Sequence, residues 1–142
     1  MDFETIHALL GSYTGTRLVD ANGGVFAMHD PEGNLPPQRQ IPWAILIDSN
    51  AYDTASDLDR PGVFRLDLAL TRARFRDLID PAAQYDLTEL DVVMPHPGYA
   101  GRNWVCVLNP KRTWPVVRGL IAEANEFAVR KYENAARRRS GR

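Results

Sequence analysis

The sequence has one cysteine, Cys106, so no disulfide can form within the chain and the fold must rest on its core. No apolar run is long enough to span a bilayer. Trp43 to Ile47 is five residues, whereas a membrane helix needs about 20. Lysine is confined to Lys111 and Lys131, and the net charge is −1. That balance excludes a protein that coats nucleic acid by bulk positive charge. Gly-x-Gly-x-x-Gly, Walker, Gly-x-Ser-x-Gly, His-Glu-x-x-His and Cys-x-x-Cys patterns are all missing. The three histidines and the cysteine are dispersed, without zinc-site spacing. No catalytic residue is therefore assigned, and neither a cofactor nor a metal is expected. Met1-Asp2-Phe3-Glu4 lacks the basic start of a signal peptide. With the lone cysteine, this gives a cytoplasmic location and no membrane partner as expectations.

What is present is ordinary globular material: 44% hydrophobic and 25% charged residues in 142. That length suits one domain, expected over 1–136, with 137–142 as a basic, disordered tail. Phe3, Ile6, Leu9, Leu10 and Tyr13 recur at helical spacing behind Asp2, which predicts an N-terminal helix with an aspartate cap. Asn22-Gly23 between two short apolar runs predicts a hairpin. Trp43–Ile47 and Val63–Leu70 read as strands. In the second, Phe64, Leu66, Leu68 and Leu70 alternate with Arg65 and Asp67, which predicts an antiparallel sheet with one packed and one wetter face.

Thr71 opens a short helix that holds Phe75, Leu78 and Ile79 and stops at Asp80-Pro81. Val92–Met94 and Trp104–Leu108 make a hairpin with Pro95–Asn103 as its tip. A last helix begins near Thr113, its expected cap, and buries Val117, Leu120, Ile121, Ala124, Phe127 and Ala128. Gly119 within it suggests a close helix–sheet approach. The expected fold is α+β and two-layered: an antiparallel sheet of five to six strands, with the N-terminal and C-terminal helices on one face.

Two features could carry a partner. The hairpin tip gathers His96, Tyr99, Arg102, Asn103 and Trp104, and loops on a rigid hairpin are where binding groups are presented. An acid–base role for His96 needs a carboxylate, and Asp67 and Asp91 are the candidates. The chain's end gathers Arg130, Lys131, Arg137, Arg138, Arg139 and Arg142 against Glu133 alone, which suits either an anionic partner or a solvated helix end. Two functions follow. One is a non-enzymatic module binding nucleic acid through Arg102, Arg130, Lys131 and Arg137–Arg139. The alternative is a small-molecule-binding protein or enzyme with a pocket beside His96–Arg102. A protein-interaction surface on the Arg65/Asp67 face is a third reading. Asp48, Asp53, Asp57 and Asp59 read as turn and cap residues, and Cys106 as a small buried hydrophobe.

The segment Asp53-Thr54-Ala55-Ser56-Asp57-Leu58-Asp59-Arg60-Pro61-Gly62-Val63-Phe64-Arg65-Leu66 carries a resemblance. So does Met94-Pro95-His96-Pro97-Gly98-Tyr99 taken with Trp104–Pro110. Together they resemble a bacterial family of short proteins of unknown function over most of the chain. More distantly the plan is similar to MmcQ/YjbR-like proteins, a group labelled as a double-wing DNA-binding fold. That resemblance implies a wing at Pro95–Asn103, with phosphate contacts from Arg102 and the arginine tail. Asn22-Gly23-Gly24 and Met28-His29 depart from the nearer family, where a tryptophan-glycine-aspartate and an aromatic residue are expected.

Overall fold

The computed structural model describes residues 1–141. In chain order it contains helix α1 (Phe3–Ser12), strands β1 (Thr16–Ala21), β2 (Gly24–His29), β3 (Ala44–Ile47) and β4 (Arg65–Ala69), and helix α2 (Arg72–Leu78). Strands β5 (Met94–Pro95) and β6 (Trp104–Leu108) and helix α3 (Trp114–Ser140) follow. The six strands form one sheet in the order β1-β2-β3-β4-β6-β5, every neighbouring pair antiparallel. Asn22 and Gly23 both take positive φ, 49° and 77°, as the tight turn between β1 and β2 requires.

Period-two alternation sorts each strand between two faces. Val25, Ala27, Ala44, Leu46, Leu66, Leu68, Val105 and Val107 share one core with Ile6 and Leu10 of α1 and with Val117, Leu120, Ile121 and Ala124 of α3. Both helices therefore lie on the same face. Each leucine buried there contributes roughly 2 kcal/mol by removal from water. Asp2 caps α1 by accepting from Thr5 N–H at 2.8 Å, and Thr71 caps α2 by accepting from Arg74 N–H.

The far face differs from its expected wetness. All five residues of β4, Arg65 and Asp67 included, are buried. A second apolar cluster covers that face: Ile45, Ile47, Cys106 and Leu108 from strands, packed with Leu58, Val63 and Met94, and with Tyr85, Leu87 and Val92 from irregular segments. Alternation in β4 was a true sign of two faces. What it concealed is that loops, not solvent, cover the second.

The start of α3 is built otherwise than expected. Thr113 makes no side-chain cap bond to the helix. Instead Asp91 accepts from the N–H groups of Lys111, Arg112 and Thr113 and from the Thr113 hydroxyl, at 2.6–3.1 Å. Residues 137–140, expected in a disordered tail, lie in the last turn of α3, and Arg142 is outside the described residues.

Gly119 does not mark a close approach either. It is exposed, and a Cβ added there would meet nothing within 4 Å. Gly119→Ala is accordingly expected to stabilise the protein by about 0.5–1 kcal/mol, through helix propensity and a less free unfolded chain. A urea-denaturation midpoint at or below the parent value would contradict that.

Candidate functional site: a charged cleft on the far sheet face

Arg65 and Asp67 stand two residues apart on β4, so both project to the face away from the helices. Each is 1% exposed. A buried guanidinium is tolerated only when its charge and its donors are met, and here every N–H of Arg65 is used. Nε donates to Asp67 Oδ1 at 2.8 Å and Nη1 to Asp53 Oδ1 and Ser56 Oγ, both at 3.0 Å. Nη2 donates to Asp53 Oδ2 at 2.8 Å and to Asp67 Oδ2 at 3.3 Å. Burial alone would lower the arginine's pKa, but the bonds to Asp53 and the charge of Asp67 outweigh it and raise it. The Arg65 bonds hold the Asp53 carboxyl below its ordinary value, so Asp53 stays ionised. One cation thus faces two carboxylates.

The second carboxylate also faces His96. Its Nε2 lies 3.1 Å from Asp67 Oδ2 in a fully buried contact. Nδ1 accepts from the N–H groups of Gly98 and Tyr99 at 2.9 and 3.0 Å. Two backbone donors at Nδ1 assign the ring proton to Nε2, which donates to Asp67. Of the two carboxylates weighed for His96, Asp67 is the partner, since Asp91 is engaged at α3. Both ring nitrogens are occupied. His96 therefore has no free lone pair for a substrate proton, and its evident work is to tie the hairpin tip to β4.

Above this floor lies a cleft of about 470 Å³. Phe26, Ile45, Ile47 and Tyr52 form one side, and Pro97, Gly98 and Tyr99 the other. Tyr99 stacks on the His96 ring at 4.8 Å between centroids and remains 47% exposed. Tyr52 packs edge-on against Phe26 at 5.5 Å and donates its hydroxyl to the Ala21 carbonyl, bridging the first hairpin to the 48–62 loop. Gly24 makes this wall possible. A Cβ there would lie 3.0 Å from the Tyr52 ring and 3.1 Å from both Ile47 and Phe26.

The structure separates the residues grouped at the tip. His96 and Tyr99 line the cleft, and Trp104 is buried near them, its ring 6.3 Å from His96 and 6.1 Å from Tyr99. Arg102 sits exposed in a 3-10 turn, Ala100–Arg102, and does not line the cleft. Asn103 turns the chain at φ 67°, its carbonyl accepting from Leu70 N–H. The basic residues Arg130, Lys131, Arg137, Arg138 and Arg139 lie on the outer half of α3.

Of the four aspartates in the 48–62 loop, Asp53 is part of the site. Asp59 accepts from Asn50 N–H, and Asp57 pairs with Arg60 at 3.7 Å. Cys106 is 1% exposed, and burial, reinforced by Asp67, pushes its thiol up to about 12. It is not a nucleophile.

Sequence reasoning missed Asp53, Ser56, Phe26 and Tyr52 as site residues, and it placed Arg65 on a wetter interaction face rather than in a buried network. A usable signal existed: two opposite charges in an otherwise apolar strand ask for a buried pair, and the carboxylate-rich loop just before it could supply a third member.

Fold and site together define a two-layer α+β protein whose helices seal one sheet face and whose loops shape a charged, aromatic-walled cleft on the other. The chain belongs to a family of unknown function (DUF6194), which it matches over residues 1–138. No curated protein and no solved structure matches it, so the distant MmcQ/YjbR-like similarity is not shown. Among the described residues no helix is long and apolar enough to cross a membrane. Two segments distant in sequence meet at the cleft: Asp53 and Arg65 come from one, His96 and Tyr99 from the other.

Proposed function

We propose that this protein binds a small molecule in the far-face cleft, and that the ligand carries a cationic or N–H donor group on a flat, apolar body. The observation behind this is the complete use of the Arg65 donors. The cleft floor offers no free cation to an anion, whereas Asp53, with about a third of its side chain exposed, remains ionised at the mouth. The faces of Tyr99, Tyr52 and Phe26 suit an apolar body and attract a nearby cation.

Nucleic-acid binding would be favoured if the hairpin tip and the basic end of the chain formed one surface. They line different cavities: His96–Tyr99 the cleft, and Lys131, Arg138 and Arg139 a groove beside α3. That separation favours the small-molecule reading.

Titration of the ¹⁵N-labelled protein with benzylammonium and phenylacetate, read at the Gly98 and Tyr99 amides that line the cleft, tests it, because the two probes share a shape and differ in charge. Benzylammonium is expected to bind with a dissociation constant of about 1 mM or tighter, a reasonable value for so few atoms. Phenylacetate should bind at least about tenfold more weakly. Tyr99→Ala should weaken the cation about threefold through loss of the ring face. Equal binding of both probes, or none, would remove the proposal.

A further inference from the structure

The groove beside α3 is a separate cavity of about 300 Å³, sharing no lining residue with the cleft. Its helical side is a single stripe: Ala128, Lys131, Tyr132, Ala135, Arg138 and Arg139, at i, i+3, i+4, i+7, i+10 and i+11. The two alanines leave room that larger side chains would fill. Opposite them stand Leu35, Ile41, Pro42 and Trp43. Ile41 is 69% exposed, an aliphatic side chain left in water at the edge of the groove.

Four cations, Arg39, Lys131, Arg138 and Arg139, line the same groove, with no aspartate or glutamate among the lining residues. Among the described residues none of the four joins an ion pair. Lys131 lies over the Phe127 ring at 4.2 Å, and partial desolvation lowers its pKa with no carboxylate offsetting the change. Trp43 is 2% exposed, and its indole N–H is buried without a partner. A buried indole normally finds an acceptor. Basic residues at a helix C-terminus suit its dipole without further purpose. The apolar wall opposite them and the exposed isoleucine are what that dipole leaves unexplained.

We propose that this groove binds a small amphipathic monoanion: a carboxylate on an aliphatic body, the head held by Lys131, Arg138 and Arg139 and the body laid along Ile41 and Trp43. The volume holds about ten non-hydrogen atoms at the roughly 30 Å³ that a water occupies in the liquid, which is the size of octanoate.

The test is a titration of the full ¹⁵N-labelled chain with octanoate, following indole N–H resonances, with octan-1-ol as the uncharged control. The Trp43 signal is identified through Trp43→Phe. Octanoate should shift that signal and saturate at low-millimolar concentration, and octan-1-ol should act at least about fivefold more weakly. Arg138→Ala/Arg139→Ala, two exposed positions, should weaken octanoate about fivefold while leaving the rest of the spectrum in place.

Any of the following results would overturn the proposal. Octanoate fails to give a saturable shift, or octan-1-ol binds equally well, or the double variant binds octanoate as the parent does. Another is that a short DNA duplex binds these arginines while octanoate does not. Shifts confined to the Gly98 and Tyr99 amides would also count against it, since they would place octanoate in the far-face cleft.

Discussion

Arg65→Met is expected to remove about 3–5 kcal/mol of stability, the range for stripping one partner from a buried ion pair. The loss arises less from the five hydrogen bonds that vanish than from what they leave behind. Asp67 is buried to the same degree as Arg65, and without the guanidinium it keeps only the His96 contact. Asp53 loses both Arg65 bonds and keeps only the one from Ala55 N–H, and Ser56, wholly buried, loses the donor to its hydroxyl. Lysine is no substitute, because an ammonium cannot present the planar fork that meets two carboxylates and a hydroxyl at once. Adding Asp67→Asn to Arg65→Met should recover part of the loss, since the neutral pair removes an uncompensated charge. A double-mutant cycle by urea denaturation measures this coupling. Strictly additive effects, or a loss from Arg65→Met below about 1 kcal/mol, would mean that the network does not hold the cleft together.

Asp91→Ala is expected to cost about 2–3 kcal/mol, combining a lost helix cap with alanine forced to positive φ. The residue sits at φ 62°, and its carboxylate collects three backbone N–H groups and the Thr113 hydroxyl ahead of α3. Asp91→Asn should cost less, about 1 kcal/mol, because asparagine tolerates that backbone and keeps one acceptor oxygen.

The same site has a pH signature. Burial would raise the Asp91 carboxyl, but the bonds from Thr113, Lys111 and Arg112 outweigh it and hold it well below the usual carboxylate range. The unfolded chain therefore takes up this proton first as pH falls. The contribution of the cap is whole above about pH 5, and declines below about pH 4 until the folded carboxyl is protonated too. Comparing urea midpoints of parent and Asp91→Ala between pH 7 and pH 3 should show the gap narrowing toward acid. A constant gap would contradict the assignment.

Much of the fold was legible because its signals are local. Asn22-Gly23, the alternation in β4 and the apolar stripe of α3 each declare themselves within a few residues. The cleft was legible only in part. Tyr99 and His96 stood out as a polar, aromatic tip, but their neighbour Arg102 is turned away by the 3-10 segment and the left-handed Asn103 that follows. The network joins Asp53, Arg65 and His96 across 12 and 31 positions of sequence, and no periodicity reports a contact of that span. The covering of the far face was hidden for a related reason. Leu58, Tyr85, Leu87 and Val92 are scattered through irregular segments, so nothing in their spacing marks them as a layer.

The proposed ligand site is the far-face cleft, framed by Tyr52 and Tyr99 over the Arg65 network. Mapping amide shifts across the ¹⁵N-labelled protein during benzylammonium titration tests it most directly. The expected result is a saturable set of shifts centred on Asp53–Ala55 and Gly98–Tyr99, weakened in Tyr99→Ala and absent from α3. Shifts centred on α3, or no shifts near Tyr99 at saturating probe, would contradict it.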